Sequence, residues 1–275
     1  IERAADNPFP VPTDDADDTF DNAWGPTPKI EAAQGFMDLA WNQGLDASLK
    51  ERLARLGADR SPAVRFQIAS RAANFHAQER EFYWKFIDER LQAEKSPAVF
   101  AALVRSVVFQ NVALAEPDRV VGRLANALGR WPPSKKTKDI VRDAVDCLTQ
   151  LYVYLGNAKA HLILASYLSN PKQSEAELNQ MAFSSAYFLL QGLPGGSSND
   201  SVIRRRARAT ILDVLTSTDR AILEILELLR TPETPEKESV QKTLQSLLYI
   251  IETVGFRLYL NLDISPDLRR EDTKI

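Results

Sequence analysis

From Pro28 onward, apolar residues recur at three-to-four spacing in successive blocks, each stopped by a glycine, a proline or a polar pair. Ile30, Ala33, Met37 and Ala40 share one helical face that ends at Gly44. Asp46 is placed to cap the next helix, in which Leu49, Leu53 and Leu56 face inward and Gly57 is the stop. The spacing predicts a second pair of helices over 61–76 and 78–94, with Val64, Ile68, Ala72 and Phe75, then Phe82, Phe86 and Leu91, toward the core. A third pair is predicted over 96–114 and 117–128, with Gly129 closing it. Loops of two to four residues between partners imply antiparallel neighbours.

Beyond the break at Trp131-Pro132-Pro133, the pattern predicts a helix over 139–155, a turn at Gly156-Asn157, and helices over 158–168 and 174–190. The glycine-rich stretch 192–199 predicts a linker. Asp200 then caps a helix to about 215, another follows over 218–230, and a long one over 235–260. That last helix carries apolar residues on most sides, so it is expected to be covered on more than one face. Trp41, Trp84, Phe82 and Tyr83 are expected in core or inter-helix packing.

Ser61-Pro62-Ala63-Val64 returns as Ser96-Pro97-Ala98-Val99, 35 residues on, and Pro28 precedes Pro62 by 34. A fixed period of this length marks stacked helical repeats. Each proline stands where its fixed φ suits a first helical turn. Val64, Ile68, Val99 and Leu103 are expected to be buried between pairs.

The stretch from Asp59 to Ala69 resembles the first helix of a HEAT repeat, carried by Asp59, Pro62, Val64, Arg65 and Ala69. The second copy keeps Pro97, Val99 and Ala102 but has Phe100 where Arg65 stands; the first keeps Pro28, Ile30 and Ala33. The resemblance covers residues 28–170. It implies an all-α solenoid of antiparallel helix pairs, with an Asp–Arg ladder inside the turns. It also suggests the repeat region of a larger bacterial multidomain protein, for example a defence-type NTPase. The expected organisation is an extended acidic lead-in over 1–27, HEAT-like repeats over 28–191 and an irregular helical cap over 200–275.

Composition narrows the function. A net charge of −3 supplies no global basic field for nucleic acid or an anionic membrane. The single cysteine, Cys147, permits no internal disulfide and no cysteine-rich zinc site, which suits a cytoplasmic setting. No apolar run is long enough to cross a bilayer. The first residue, Ile1, reads as the start of a piece of something larger.

Candidate chemistry is sparse. His76 ends a predicted helix and His161 sits among apolar residues; neither has a His or Cys at ligand spacing, so both are expected to be structural. Asp14, Asp15, Asp17, Asp18 and Asp21 lack the ligand order and glycine of a calcium loop and read as a solvated lead-in. The glycine-rich 192–198 segment lacks the Lys-Ser or Lys-Thr of a phosphate loop. Two basic clusters stand out on an acidic chain: Lys135, Lys136 and Lys138 with Arg142, beside Trp131; and Arg204, Arg205, Arg206 and Arg208. They are the candidate partner-binding residues, suited to an acidic protein surface or a nucleic-acid backbone. No catalytic, cofactor or metal residue is expected. The reading is a non-catalytic scaffold that recognises protein. The alternatives are a nucleic-acid-binding repeat using the clusters at 135–142 and 204–208, or the regulatory part of an enzyme whose catalytic domain lies elsewhere.

Overall fold

The computed structural model describes residues 27–131, 133–134, 136–190, 200–230 and 237–264. The acidic run at 14–21, the linker at 191–199 and Lys135 lie outside the described residues. The described chain forms thirteen α-helices and one π-helical segment, with no strand. In order these are α1 (Pro28–Gln43), α2 (Ala47–Gly57), α3 (Pro62–Ala69), α4 (Ala73–Gln78), α5 (Arg80–Ala93), α6 (Pro97–Val108), α7 (Gln110–Ala115), α8 (Pro117–Arg130), α9 (Lys138–Gln150), the π segment Leu151–Leu155, α10 (Ala158–Ser169), α11 (Glu175–Leu190), α12 (Asp200–Arg230) and α13 (Lys237–Ile264). They gather into two compact units, one ending at Ala144 and one starting at Val145.

Proline sets the phase of the first unit. Pro28, Pro62 and Pro97 each occupy the first helical turn, as the spacing predicts. α3 packs on α1 on one side and on α6 on the other. Val64, Ile68, Val99 and Leu103 are buried in that packing.

A common turn precedes α3 and α6. The carboxylate of Asp59 accepts from the Ser61 amide at 2.9 Å, and that of Glu94 from the Ser96 amide at 2.9 Å. Each acid also binds a base from the start of an earlier helix. Lys29 lies 2.5 Å from Asp59. Arg65 forks onto Glu94 through Nε at 2.9 Å and Nη2 at 2.7 Å. Arg65 donates further to the carbonyls of Asp59 and Arg60. At the next turn, Phe100 stands where a basic residue would be. Arg130 lies over its ring at 5.4 Å and donates to the carbonyls of Leu91, Gln92 and Glu94.

Further side-chain bonds join elements one period apart. Arg71 binds Asp38 at 2.7 Å, Arg123 forks onto Asp88, and Arg105 binds both Asp139 and Asp143.

Two expected helices are broken. The segment 61–76 stops at Ala69 and restarts at Ala73, and 96–114 divides at the extended Phe109 (φ −55°, ψ 130°). At each break a neighbouring helix binds a carbonyl: Ser106 Oγ donates to Ala69 O at 2.7 Å, beside the Ala72 amide at 3.3 Å, and Tyr83 Oη donates to Ser106 O at 3.0 Å. On α5 the buried face is Tyr83, Trp84, Phe86 and Ile87, while Phe82 and Leu91 are only half-buried. Trp41, expected in packing, is 62% exposed.

In the second unit, α11, α12 and α13 pack on one another, and α10 lies against α11 and α12. The expected helix over 139–155 continues past Gln150 as π-helix and closes on Gly156 in the left-handed region (φ 72°). The two helices expected between 200 and 230 are one helix of 31 residues. The start expected at Thr218 lies inside continuous helix: Ser217 Oγ donates to Leu168 O at 2.5 Å, and Thr218 is fully buried with its hydroxyl unbonded. The last helix begins at Lys237, and among its described side chains the buried ones, Leu247, Ile250 and Val254, fall on one face, where the sequence predicts coverage on more than one.

Candidate functional site

The arginine cluster sits in the first turns of α12, and its four members face different ways because successive helical residues are about 100° apart. Ile203 and Ala207 anchor this stretch in a cluster with Val153 and Phe188. Arg205 and Arg208 are exposed. Arg206 turns inward: Nη1 lies 3.4 Å from the Val153 carbonyl, and its guanidinium lies against Gly156, where an added Cβ would meet Nη2 at 2.5 Å. The carbonyls ending a helix lack helical partners, so a guanidinium is well placed there. Arg204 is half-buried and engaged.

The lysine cluster is placed in the first unit. Lys136 and Lys138 are exposed, and Lys136 is engaged. Arg142 is held by Asp139 at 3.1 Å and Asp143 at 2.8 Å. Trp131, a candidate for stacking on a base, instead packs on Phe100 at 5.4 Å under Arg130.

The densest polar group joins α4, α5 and the turn before α8. Glu116 Oε1 accepts from Trp84 Nε1 at 2.8 Å and lies 2.9 Å from His76 Nε2. Arg119 lies 4.6 Å from the Trp84 ring centroid and 3.6 Å from Glu116 Oε2. Burial acts to raise the Glu116 carboxyl, but the bonds from Trp84 and His76 and the charge of Arg119 outweigh it and hold the group below its ordinary 4.5. An ionised Glu116 makes His76 Nε2 the donor. His76 is buried, edge-on to Tyr83 and Trp84. His161 is exposed and stacked on Tyr152 at 4.4 Å.

A cleft of about 610 Å³ lies between α5 and α8, with Leu91, Phe100 and Ala127 on its apolar side. Its polar walls are already engaged: Arg123 forks onto Asp88, and Arg130 is spent on carbonyls. Cys147 is buried, and burial pushes its thiol up to about 12. Among the described residues, no three His, Cys, Asp or Glu side chains group to hold a metal ion.

Three features went unread in the sequence. Glu94 has a periodic signal: it stands 35 residues after Asp59 and two before a Ser-Pro, as Asp59 does. Glu116 has none, since its partners come from 32 and 40 residues away. The third is the open face of α13, which carries Tyr249, Phe256 and Tyr259.

Fold and polar groups together define an all-α protein in which charged side chains, one pair of them buried, join element to element. No family model, no curated protein and no solved structure matches this chain.

Proposed function

We propose that the chain is a non-catalytic scaffold that recognises another protein, with residues 28–170 arranged as a HEAT-like solenoid of antiparallel pairs. One observation carries the reading: side-chain bonds recur about one period apart, in Lys29–Asp59, Arg65–Glu94, Asp38–Arg71 and Asp88–Arg123. Stacked repeats bonded in this way present a long continuous surface suited to partners.

A second reading, nucleic-acid binding, is favoured by the exposure of Arg205, Arg208 and Lys138. Salt separates the two, because phosphate contacts weaken steeply as salt rises. Labelled duplex and single-stranded oligonucleotides, titrated with the full chain across a salt series, are expected to show no saturable binding at physiological salt. Cross-linking in native lysate is expected to recover a protein partner. Steeply salt-dependent oligonucleotide binding that is lost in Arg205→Glu/Arg208→Glu overturns the scaffold reading. So does turnover of a nucleotide or ester that is lost on changing His76 or His161.

A further inference from the structure

Three of the eighteen large apolar side chains exposed among the described residues (Trp41, Phe109 and Leu114) lie before Val145; fifteen lie after it. The most ordered group of these is on α13. That helix buries Leu247, Ile250 and Val254 against the bundle of the second unit. Leu248, Glu252, Gly255 and Tyr259 follow one another at four-, three- and four-residue steps, so they form a single seam about 140° around the helix from the buried stripe. Tyr249 and Phe256 lie together along one side of it, so the seam and these rings share the face opposite the buried stripe. Leu248 is 49% exposed, Tyr249 and Phe256 58%, and Tyr259 66%. Nothing lies within 4 Å of where a Cβ on Gly255 would be, so the seam has an open notch at its middle where another backbone can approach.

Charge decides what fits. Within this seam the one charged side chain is Glu252. The nearby bases of the same helix are occupied: Lys242 pairs with Glu238 at 2.8 Å, and Arg257 lies 4.0 Å from the Phe183 ring centroid. A second copy of this chain would bring another Glu252 into the same apolar seam, where the described face holds no base to meet either one, and unpaired buried charge is costly. An anionic membrane or a nucleic acid is repelled by the same carboxylate. A helix with apolar residues around one Lys or Arg satisfies every feature: the rings cover its apolar side, Gly255 admits its backbone, and its base pairs with Glu252.

We infer that the outer face of α13 is the docking site for a basic amphipathic helix of a partner protein, centred on Glu252 and Gly255. This rests on the protein-recognition reading above and names the chemistry of the partner. The probe is a labelled amphipathic peptide of Leu and Lys, compared with its Leu/Glu counterpart, both titrated with the full chain. Saturable binding of the Leu/Lys peptide and none of the Leu/Glu peptide is expected. Phe256→Ala/Tyr259→Ala should weaken it about tenfold or more with the melting curve unchanged, since both rings are exposed. Glu252→Lys should reverse the preference between the two peptides. Equal binding of both peptides, or binding indifferent to these variants, overturns the inference. So does a concentration-dependent dimer, or attachment to phosphatidylserine vesicles, that is lost in Phe256→Ala/Tyr259→Ala. A native partner cross-linked only to residues before Val145 would sink this site and leave the scaffold reading standing, whereas salt-steep oligonucleotide binding would sink that reading itself.

Discussion

Arg65 and Glu94 form an almost fully buried pair, with side chains 10% and 2% exposed. All three guanidinium nitrogens of Arg65 donate and both Glu94 oxygens accept, so removing one member leaves the other buried without its partner. Glu94→Met or Arg65→Met is expected to cost about 3–5 kcal/mol, and the two changes together much less. Urea melts of the four proteins in the cycle check this; equal losses in the single and double variants would count against it. Glu116 sets an acid limit. Its folded pKa lies below its unfolded one, so its stabilisation is present above the unfolded value and is lost as pH falls through the folded value. Glu116→Gln should flatten the fall in stability below about pH 4.5, measured by melts from neutral to acid. Glu177 behaves in the opposite sense. Burial raises its carboxyl, and its Oε2 has no hydrogen-bond partner. Its folded pKa lies above the unfolded one, so the native state loses stability as pH rises through that interval. Glu177→Gln is therefore expected to stabilise the protein at neutral pH, seen as a higher midpoint in the same melts. A thiol as buried and proton-retaining as Cys147 should resist a thiol reagent in the native state at pH 8 and react once urea unfolds the chain.

Helix identity was legible because the apolar spacing and the prolines speak locally, and Pro28, Pro62 and Pro97 fixed three starts without any tertiary knowledge. The breaks were not legible. Nothing around Ser70 or Phe109 forbids helix in the sequence itself. The interruptions occur where Ser106 and Tyr83, remote in the chain, offer donors to the freed carbonyls. Ser106→Ala should therefore cost about 0.5–1.5 kcal/mol, the net worth of one hydrogen bond, since the Ala69 carbonyl keeps the Ala72 amide at 3.3 Å. A thermal melt shifted by no more than that of an exposed Ser→Ala control would show that the break needs no such donor. The same limit explains α12: the sequence predicts a helix start at Thr218, and only the Leu168 carbonyl shows that the hydroxyl of Ser217 beside it is wanted by another helix. Of the candidate site, residue types could be read and their obligations could not. Arg206 looks as available as Arg205 until Gly156 and Val153 are seen beneath it.

At the scale of the molecule, the two units differ in kind. The first invests its charge in bonds between helix pairs, and the second leaves most of the exposed apolar surface described here. Bonds between described residues of the first unit reach about one period along the chain: Lys29 to Asp59, Arg65 to Glu94, Asp88 to Arg123, Arg105 to Asp139. A structure tied only to its nearest neighbours transmits a local failure as a zipper does, tooth by tooth. Losing the Arg65–Glu94 rung should therefore divide one cooperative melting unit into two. Native-state hydrogen exchange on Glu94→Ala is expected to show amides of α1 and α2 opening without those of α6 and α8, while the parent protein opens them together. The rung would then act as a fuse, setting how far damage at the start of the chain can travel.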